Sequence, residues 1–199
     1  MNNLTLGNLF DGSGGFPLGG LISGITPVWA SEIEPFPIRV TTKRLPFMKH
    51  YGDISQMDGG KIEPVDIITF GSSCTDMSVA GRRAGLEGQQ SVLFYQAIRI
   101  IKEMRCATNG KYPRYIVWEN VPGAFSSNSG EDFKAVLEAV IGVAEPDTQV
   151  PMPEKNRWRP MPTATWETDG ALLTEFSMLN SGEFPNEENA STLSQILQV

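Results

Sequence analysis

The sequence predicts an α/β fold with a mostly parallel, open sheet and helices on both faces. Up to Val143, apolar segments of strand length alternate with segments of helical periodicity. Glycine-rich or polar loops follow several of the apolar segments, as they do at the carboxyl edge of a parallel sheet. Beyond residue 142 the chain carries many prolines and polar residues with little periodicity. We therefore predict a folded core over residues 1–142 and an acidic, largely irregular tail over residues 143–199.

The first predicted strand, Leu4 to Phe10, leads into a glycine-rich turn and then a helix. The glycines fall at positions 12, 14, 15, 19 and 20, which does not match the dinucleotide-binding fingerprint. A strand, a glycine turn and a helix in this order nevertheless let the backbone approach a nucleotide-like ligand closely.

Acidic residues stand at the ends of three successive predicted strands. Asp11 follows the first strand, and Glu32 follows the second, which covers residues 28–31. An acid about twenty positions after a glycine turn suits a ribose diol. Asp53 follows Tyr51-Gly52 at what we predict to be another strand end. For each acid taken singly, a helix cap or an exposed turn is the alternative interpretation.

A cysteine lies in the loop after the next predicted strand. Residues 66–70 predict a buried strand, and the small-residue loop that follows carries Cys74. A thiol just beyond the carboxyl end of a strand suggests a nucleophile, and a small residue in a turn is the alternative. Cys74 and Cys106 do not form a disulfide framework, which favours a reducing cytoplasmic location.

The second half of the core predicts two helices and one further strand. The helices cover Ser91 to Arg105 and Gly130 to Ile141. The strand begins at Tyr115 and brings Glu119 and Asn120 to the same edge of the sheet. A glutamate shielded by apolar neighbours can stay protonated and act as a proton donor, whereas an N-cap is its alternative role.

Charge and composition exclude several classes of function. The net charge is −7, and His50 is the only histidine, so we expect neither a histidine-based metal site nor a catalytic triad. Residues 1–142 hold 13 Lys and Arg against 14 Asp and Glu, whereas residues 143–199 hold 3 against 9. This balance argues against strong autonomous nucleic-acid binding. We find no signal peptide and no apolar run that could span a bilayer, so we expect no membrane partner.

Five segments together resemble the cytosine-5 DNA methyltransferase family of phage and bacterial type. Their order and spacing agree with that family across roughly residues 4 to 142. The segments are Leu9-Phe10-Asp11-Gly12-Ser13-Gly14-Gly15-Phe16, Ala30-Ser31-Glu32-Ile33-Glu34, Tyr51-Gly52-Asp53-Ile54, Gly71-Ser72-Ser73-Cys74-Thr75 with Ser78-Val79-Ala80-Gly81, and Glu119-Asn120-Val121.

The resemblance implies a Rossmann-like, S-adenosylmethionine-dependent methyltransferase that acts on cytosine carbon 5 in double-stranded DNA, within restriction-modification or phage biology. Cys74 would then be the nucleophile, Glu119 the proton donor and Asn120 a residue that positions the base or the loop. The cofactor-binding residues implied are Phe10, Asp11, Gly12, Gly14, Gly15, Glu32, Ile33, Asp53 and Ile54. Ser78, Arg82 and Arg83 are candidates for DNA contacts, with an exposed basic turn as the alternative for the two arginines.

The sequence also departs from the family pattern. Family members usually carry Pro-Cys-Gln where this chain has Ser73-Cys74-Thr75. After residue 142 we find no glutamine- and arginine-containing motif, no target-recognition domain and no C-terminal asparagine motif. We therefore expect a fold that is incomplete on its C-terminal side, and a partner chain could supply the missing half. The alternatives are a non-catalytic remnant or subunit that at most binds S-adenosylmethionine, and a tRNA cytosine-5 methyltransferase.

Overall fold

A computed structural model describes residues 4–71, 89–120, 122–153 and 158, together with four short strands nearer the C-terminus. The chain forms two compact units. The first unit comprises Met1–Gly71 and Arg99–Val117, and the second comprises Ser72–Ile98 and Trp118–Val199.

Five strands from the first part of the chain belong to a seven-stranded sheet, and the first unit contains four of them together with residues 115–117 of the fifth. They are β1 (Thr5–Leu9), β2 (Thr26–Ser31), β3 (Lys49–His50), β4 (Ile67–Gly71) and β5 (Tyr115–Asn120). Their order is β3-β2-β1-β4-β5, and β1 lies parallel to both β2 and β4 while β2 lies parallel to β3. The predicted α/β fold with a mostly parallel sheet is confirmed.

Four α-helices accompany these strands in the described part of the chain. They are α1 (Gly15–Ile22), α2 (Pro35–Arg44), α3 (Gln89–Ala107) and α4 (Glu131–Ile141). The helix predicted over residues 91–105 extends by two residues at each end. The helix predicted from Gly130 begins one residue later, because Gly130 has a φ of 91° and serves as its N-cap. None of the described helices has the length and apolar content that a bilayer-spanning helix requires.

Aromatic packing organises the described part of the second unit. The fully buried indole of Trp118 contacts the rings of Phe94 and Phe133, with centroids 5.9 and 6.3 Å away. Trp158 packs edge-on against Phe133 and donates its Nε1 hydrogen to the Gly130 carbonyl at 2.8 Å. The second unit thus has an apolar centre on the side of β5 that carries Trp118.

The segment after residue 142 contains secondary structure that its composition does not predict. Two antiparallel pairs occur there, β6 (Thr165–Trp166) with β7 (Thr174–Glu175) and β8 (Ser177–Asn180) with β9 (Leu193–Gln198). The described strands cover only part of this segment, so the domain boundary after residue 142 stays a prediction.

Candidate functional site

The turn between β1 and α1 has an unusual backbone conformation. Phe10, Gly12 and Gly14 all have positive φ angles, of 58°, 53° and 86°. Such angles cost a non-glycine residue free energy, so Phe10 is held by its surroundings rather than by its own preference. A Cβ atom at Gly12 or Gly15 would meet no atom within 4 Å. The turn therefore leaves open space beside the backbone, where a ligand can approach.

The carboxylate of Glu32 fixes this turn to the end of β2. Its Oε2 accepts a hydrogen bond from the Gly12 amide at 2.7 Å, and its Oε1 accepts from the Ile33 and Glu34 amides at 2.7 and 3.0 Å. The Asp11 amide also donates to the Ser31 carbonyl at 3.0 Å. Glu32 is half-buried, so its oxygens keep an exposed side on which further donors can bind.

Asp53 lies in the loop just beyond the end of β3, the strand that pairs with β2. The Tyr51 amide donates to the Ala30 carbonyl at 2.9 Å, and the Ser31 hydroxyl donates to the Gly52 carbonyl at 2.7 Å. These two hydrogen bonds attach the loop to the end of β2. The Asp53 carboxylate accepts from the Ser55 amide and hydroxyl, both at 2.8 Å, and these bonds hold its pKa below the usual value. Asp53 therefore caps the 3₁₀ turn Ile54–Gln56, as the alternative interpretation anticipated.

The two apolar candidates that follow these acids differ in exposure. Ile33 is 64% exposed beside Glu32, so its side chain is open to a flat apolar partner such as a nucleobase. Ile54 is only 4% exposed and contributes to the core. Of the two, Ile33 presents the accessible surface.

A buried polar network lies behind the glycine turn. The Thr69 hydroxyl on β4 donates to Asn8 Oδ1 at 2.7 Å, and Asn8 Nδ2 donates to Asp11 Oδ1 at 2.6 Å. Burial raises the pKa of the Asp11 carboxyl from 3.8 to about 6; the Asn8 hydrogen bond lowers it and the nearby Glu32 carboxylate raises it. The Asp11 side chain therefore differs from those of Glu32 and Asp53, since its carboxylate accepts no hydrogen bond from a backbone amide among the described residues.

Glu119 and Asn120 both lie at the end of β5, but their side chains point to opposite faces. Along β5 the buried positions alternate with half-buried ones, and Asn120 shares the buried face with Trp118. Glu119 lies on the other face and is half-buried, and desolvation raises the pKa of its carboxyl above 4.5. Glu119 thus retains its proton more readily than an exposed glutamate and remains accessible to a ligand.

Four predicted site residues lie outside the described residues. They are Cys74, Ser78, Arg82 and Arg83. Cys106, the other cysteine, is free and exposed in the described part of α3. Asn8 and Thr69 were not among the predicted site residues, although a polar residue inside a buried strand usually has a hydrogen-bond partner.

The amino-acid sequence matches a family defined as C-5 cytosine-specific DNA methylase over residues 4–143. The chain belongs to this family. The match spans the glycine turn, Glu32, Asp53, Cys74 and Glu119. The resemblance predicted from the five motifs is confirmed.

Several curated members of the family are similar to this chain. They include the orphan methyltransferase M.SPRI of Bacillus phage SPR, 31% identical over 70% of this chain, and the type II methyltransferase M.NgoBI of Neisseria gonorrhoeae, 32% identical over 67%. A protein of Escherichia phage P1 named DNA N-6-adenine-methyltransferase is 31% identical over 74% of this chain. The chain spans between 20% and 39% of the length of these relatives.

Solved methyltransferase structures share the fold of this family member. A DNA modification methyltransferase encoded within an Escherichia coli prophage superimposes with a TM-score of 0.64 at 17% identity, covering 98% of this chain and 47% of that one. The Dnmt2 methyltransferase of S. pombe superimposes with a TM-score of 0.59 at 17% identity, covering 99% and 49%. The fold is therefore the Rossmann-like methyltransferase type that the motifs predicted.

The family uses S-adenosylmethionine as its methyl donor. The first unit fits this cofactor in two respects. Open space lies beside Gly12 and Gly15, and acids at three neighbouring strand ends offer acceptors for hydroxyl, amino and ammonium groups.

Proposed function

We propose that this chain transfers a methyl group from S-adenosylmethionine to carbon 5 of cytosine in DNA, through a covalent bond between Cys74 and the base. The observation that carries the proposal is the family match over residues 4–143, which includes both Cys74 and Glu119. The raised pKa and partial exposure of Glu119 support the role of proton donor. The buried position of Asn120 supports a role in positioning the end of β5.

The proposed chemistry follows from the poor nucleophilicity of cytosine carbon 5. The Cys74 thiolate forms a bond to carbon 6. The electrons of the 5,6 double bond then shift through carbon 4 to nitrogen 3, which takes the proton of Glu119. Carbon 5 then has enamine character and takes the methyl group, which the bound cofactor supplies from its sulfonium. Loss of the carbon 5 proton to a base restores the double bond, expels the Cys74 thiolate and returns the nitrogen 3 proton to Glu119.

The first unit would hold the cofactor through its own side chains. In this proposal Glu32 accepts hydrogen bonds from the ribose hydroxyls, Ile33 packs on the adenine ring, and Asp53 accepts from the adenine amino group. Phe10, Gly12, Gly14 and Gly15 shape the turn that faces the ligand. Ile54 would contribute by packing beneath Asp53 rather than by offering exposed surface.

The proposed DNA substrate requires that the target base leave the helix, because carbon 6 is not accessible to a thiolate inside the stacked duplex. Ser78, Arg82 and Arg83 are our candidates for contacts to the DNA backbone, where basic and hydroxyl side chains bind phosphates. We further propose that a partner chain contributes to DNA recognition, since residues 1–142 hold no excess of basic residues for phosphate contacts.

The test uses a duplex in which 5-fluorocytosine replaces the target base. Fluorine at carbon 5 cannot leave as a proton, so Cys74 should stay covalently attached to the DNA when S-adenosylmethionine is present. Cys74→Ser should form no adduct, whereas Cys106→Ser, which removes the exposed thiol of α3, should form as much adduct as the wild type. An adduct that mass spectrometry assigns to Cys106 would overturn the mechanism.

A second candidate function is binding of S-adenosylmethionine without turnover by this chain alone. The glycine turn and Glu32 support it, because both lie in the first unit and neither depends on Cys74. Calorimetric binding of the cofactor combined with no adduct on the fluorinated duplex would support this candidate. Nucleoside analysis of DNA labelled by tritiated cofactor would separate 5-methylcytosine from the N6-methyladenine that the name of the phage P1 relative suggests.

A further inference from the structure

Aromatic side chains flank the end of β5 that carries Glu119 and Asn120. Trp118 precedes these two residues, and Phe125 follows them in a 3₁₀ turn. Both aromatic rings contact the ring of Phe133 on α4, with centroids 6.3 and 4.6 Å away. These distances are typical of favourable aromatic pairs, so the Phe133 ring packs against the chain on both sides of the two proposed site residues.

Trp158 contacts the same ring from a later part of the chain. Its indole packs edge-on against Phe133 with centroids 5.2 Å apart, and its Nε1 donates to the Gly130 carbonyl at 2.8 Å. By contrast, the buried Nε1 of Trp118 has no hydrogen-bond partner among the described residues. Within this part of the chain, packing rather than a hydrogen bond orients the Trp118 indole, whereas Trp158 is held by both.

The turn between β5 and α4 requires support from its surroundings, because its backbone is strained. Asn128, Ser129 and Gly130 have φ angles of 48°, 56° and 91° in succession. The left-handed region costs the first two residues free energy, so contacts with the rest of the fold have to hold them there. The hydrogen bond from Trp158 fixes the last residue of this run, which is the N-cap of α4 and lies just ahead of Phe133.

We infer that Trp158 is a positioning residue: it fixes Phe133 and the N-terminus of α4, and through them the end of β5 that presents Glu119 and Asn120. The inference rests on the proposed function, which gives those two residues their roles. Residues 4–143 match the family, so Trp158 supports the proposed site from outside the matched region. Such support matters to a reaction because a displacement of about 1 Å can lower a rate about 100-fold.

The test compares three variants of the full chain, Trp158→Ala, Trp158→Phe and Ile141→Ala. The alanine variant of Trp158 removes both contacts, whereas the phenylalanine variant keeps a ring against Phe133 and loses the hydrogen bond. Ile141→Ala is the matched control, because it also removes buried apolar surface from α4 but at the opposite end of that helix from Phe133. Urea unfolding establishes that each variant is folded and measures the stability that it loses.

The first readout is the rate of adduct formation with the 5-fluorocytosine duplex at saturating duplex and S-adenosylmethionine. Trp158→Ala should lower this rate about 10- to 100-fold, Trp158→Phe should lower it less, and Ile141→Ala should keep nearly the wild-type rate. The duplex concentration that gives half the rate should change little. Cofactor affinity measured by calorimetry should also stay unchanged, because the glycine turn and Glu32 belong to the first unit. A wild-type rate for Trp158→Ala, or an equal loss in Ile141→Ala, would overturn the inference.

The second readout does not require activity. Hydrogen–deuterium exchange followed by NMR reports how well the amides of Glu119 and Asn120 are protected. Trp158→Ala should speed the exchange of these two amides more than Ile141→Ala does and should leave the Asn8 amide of β1 unchanged. If the folded wild type forms no adduct, the proposed function fails and the exchange measurement alone decides the inference. Unchanged exchange at Glu119 and Asn120 in Trp158→Ala would then overturn it as well.

Discussion

The carboxylates of Asp11, just beyond the end of β1, and of Glu32, just beyond the end of β2, lie close enough to repel each other and are held in opposite ways. The Glu32 carboxylate accepts hydrogen bonds from three backbone amides, and these donors stabilise its charge without a cation. The Asp11 carboxylate accepts one hydrogen bond, from the Asn8 side-chain amide, and burial destabilises its charged form. The difference between them is set by the donors that the turn supplies, and not by the chemistry of the carboxyl group, which is the same in both.

Replacing Glu32 tests the ribose side of the proposed cofactor site. Glu32→Ala should weaken S-adenosylmethionine binding by about 1.5–3 kcal/mol, the usual contribution of a hydrogen bond to a charged group. It should also weaken the binding of 5′-methylthioadenosine, an analogue that lacks the methionyl chain and keeps the ribose. Calorimetry with both ligands measures the two losses.

Glu34→Gln is the control for Glu32→Ala. The Glu34 side chain is exposed two positions away, while its amide would still donate to Glu32. A loss of affinity in Glu34→Gln equal to that in Glu32→Ala would attribute the effect to general charge rather than to a ribose contact.

The site could be predicted from the sequence to the extent that it depends on strand ends. An acid follows each of three successive predicted strands, so Asp11, Glu32 and Asp53 could be placed at strand ends, whereas the sheet order shows that these strands are neighbours. The hydrogen bonds of these acids could not be predicted, because Thr69 lies 61 positions from Asn8 and only the sheet register brings them together. The opposite faces of Glu119 and Asn120 follow from the two-residue period of a strand once β5 is known to extend through Asn120.

One arginine attaches the loop that carries Asp53 to α3. Arg99 donates to the carbonyls of Ile54 and Met57 at 2.8 and 2.9 Å, and its neighbour Glu103 accepts from the Gly59 amide at 2.7 Å. Arg99 lies 45 positions from Ile54 in the sequence. Helical periodicity predicted α3 and its apolar face, but it contained no information about which loop the polar face would bind.

Close packing of β1 against β2 depends on a glycine. A Cβ atom at Gly7 would lie 2.2 Å from Cζ2 of Trp29, whose fully buried indole also donates to the Glu63 carbonyl at 2.8 Å. Gly7→Ala should therefore destabilise the chain by about 1–3 kcal/mol, as overpacking of a close-packed core does. Urea unfolding followed by tryptophan fluorescence measures the change in the free energy of unfolding.

Gly19→Ala provides the matched comparison on α1. Gly19 is exposed, and a Cβ atom there would meet nothing within 4 Å. Alanine lowers the entropy of the unfolded chain relative to glycine, so this variant should gain about 0.5–1 kcal/mol. Equal effects of the two substitutions would show that the Trp29 contact does not limit the size of residue 7.

The two compact units do not follow the change in composition after residue 142. Each unit joins distant segments, since residues 99–117 belong with the first 71 residues and residues 72–98 belong with 118–199. Composition is a local property of the sequence, whereas a compact unit is defined by contacts between segments that are far apart in it. This is why the parallel sheet could be predicted from alternating patterns and the division into units could not.

The distribution of charge predicts weak DNA binding by the isolated chain. The net charge is about neutral over residues 1–142, at 13 basic against 14 acidic residues, and strongly acidic over residues 143–199, at 3 against 9. Phosphate contacts by basic residues provide most non-specific affinity for DNA, and this chain has no excess of them. We expect duplex binding weaker than about 10 μM at about 150 mM salt, measured by fluorescence anisotropy with a labelled duplex.

A charge variant separates this electrostatic explanation from a missing recognition surface. Replacing Glu183, Glu187 and Glu188 by glutamine removes three of the nine acids after residue 142 and changes the net charge from −7 to −4. If repulsion between this segment and the phosphates limits binding, the variant should bind measurably tighter, and the gain should disappear as salt is raised and screens the charges. An unchanged affinity would show that repulsion is not limiting and would favour the proposal that a partner chain supplies the DNA contacts. Submicromolar binding by the wild type at the same salt concentration would contradict both explanations, because it would require a DNA-binding surface on this chain strong enough to overcome its net negative charge.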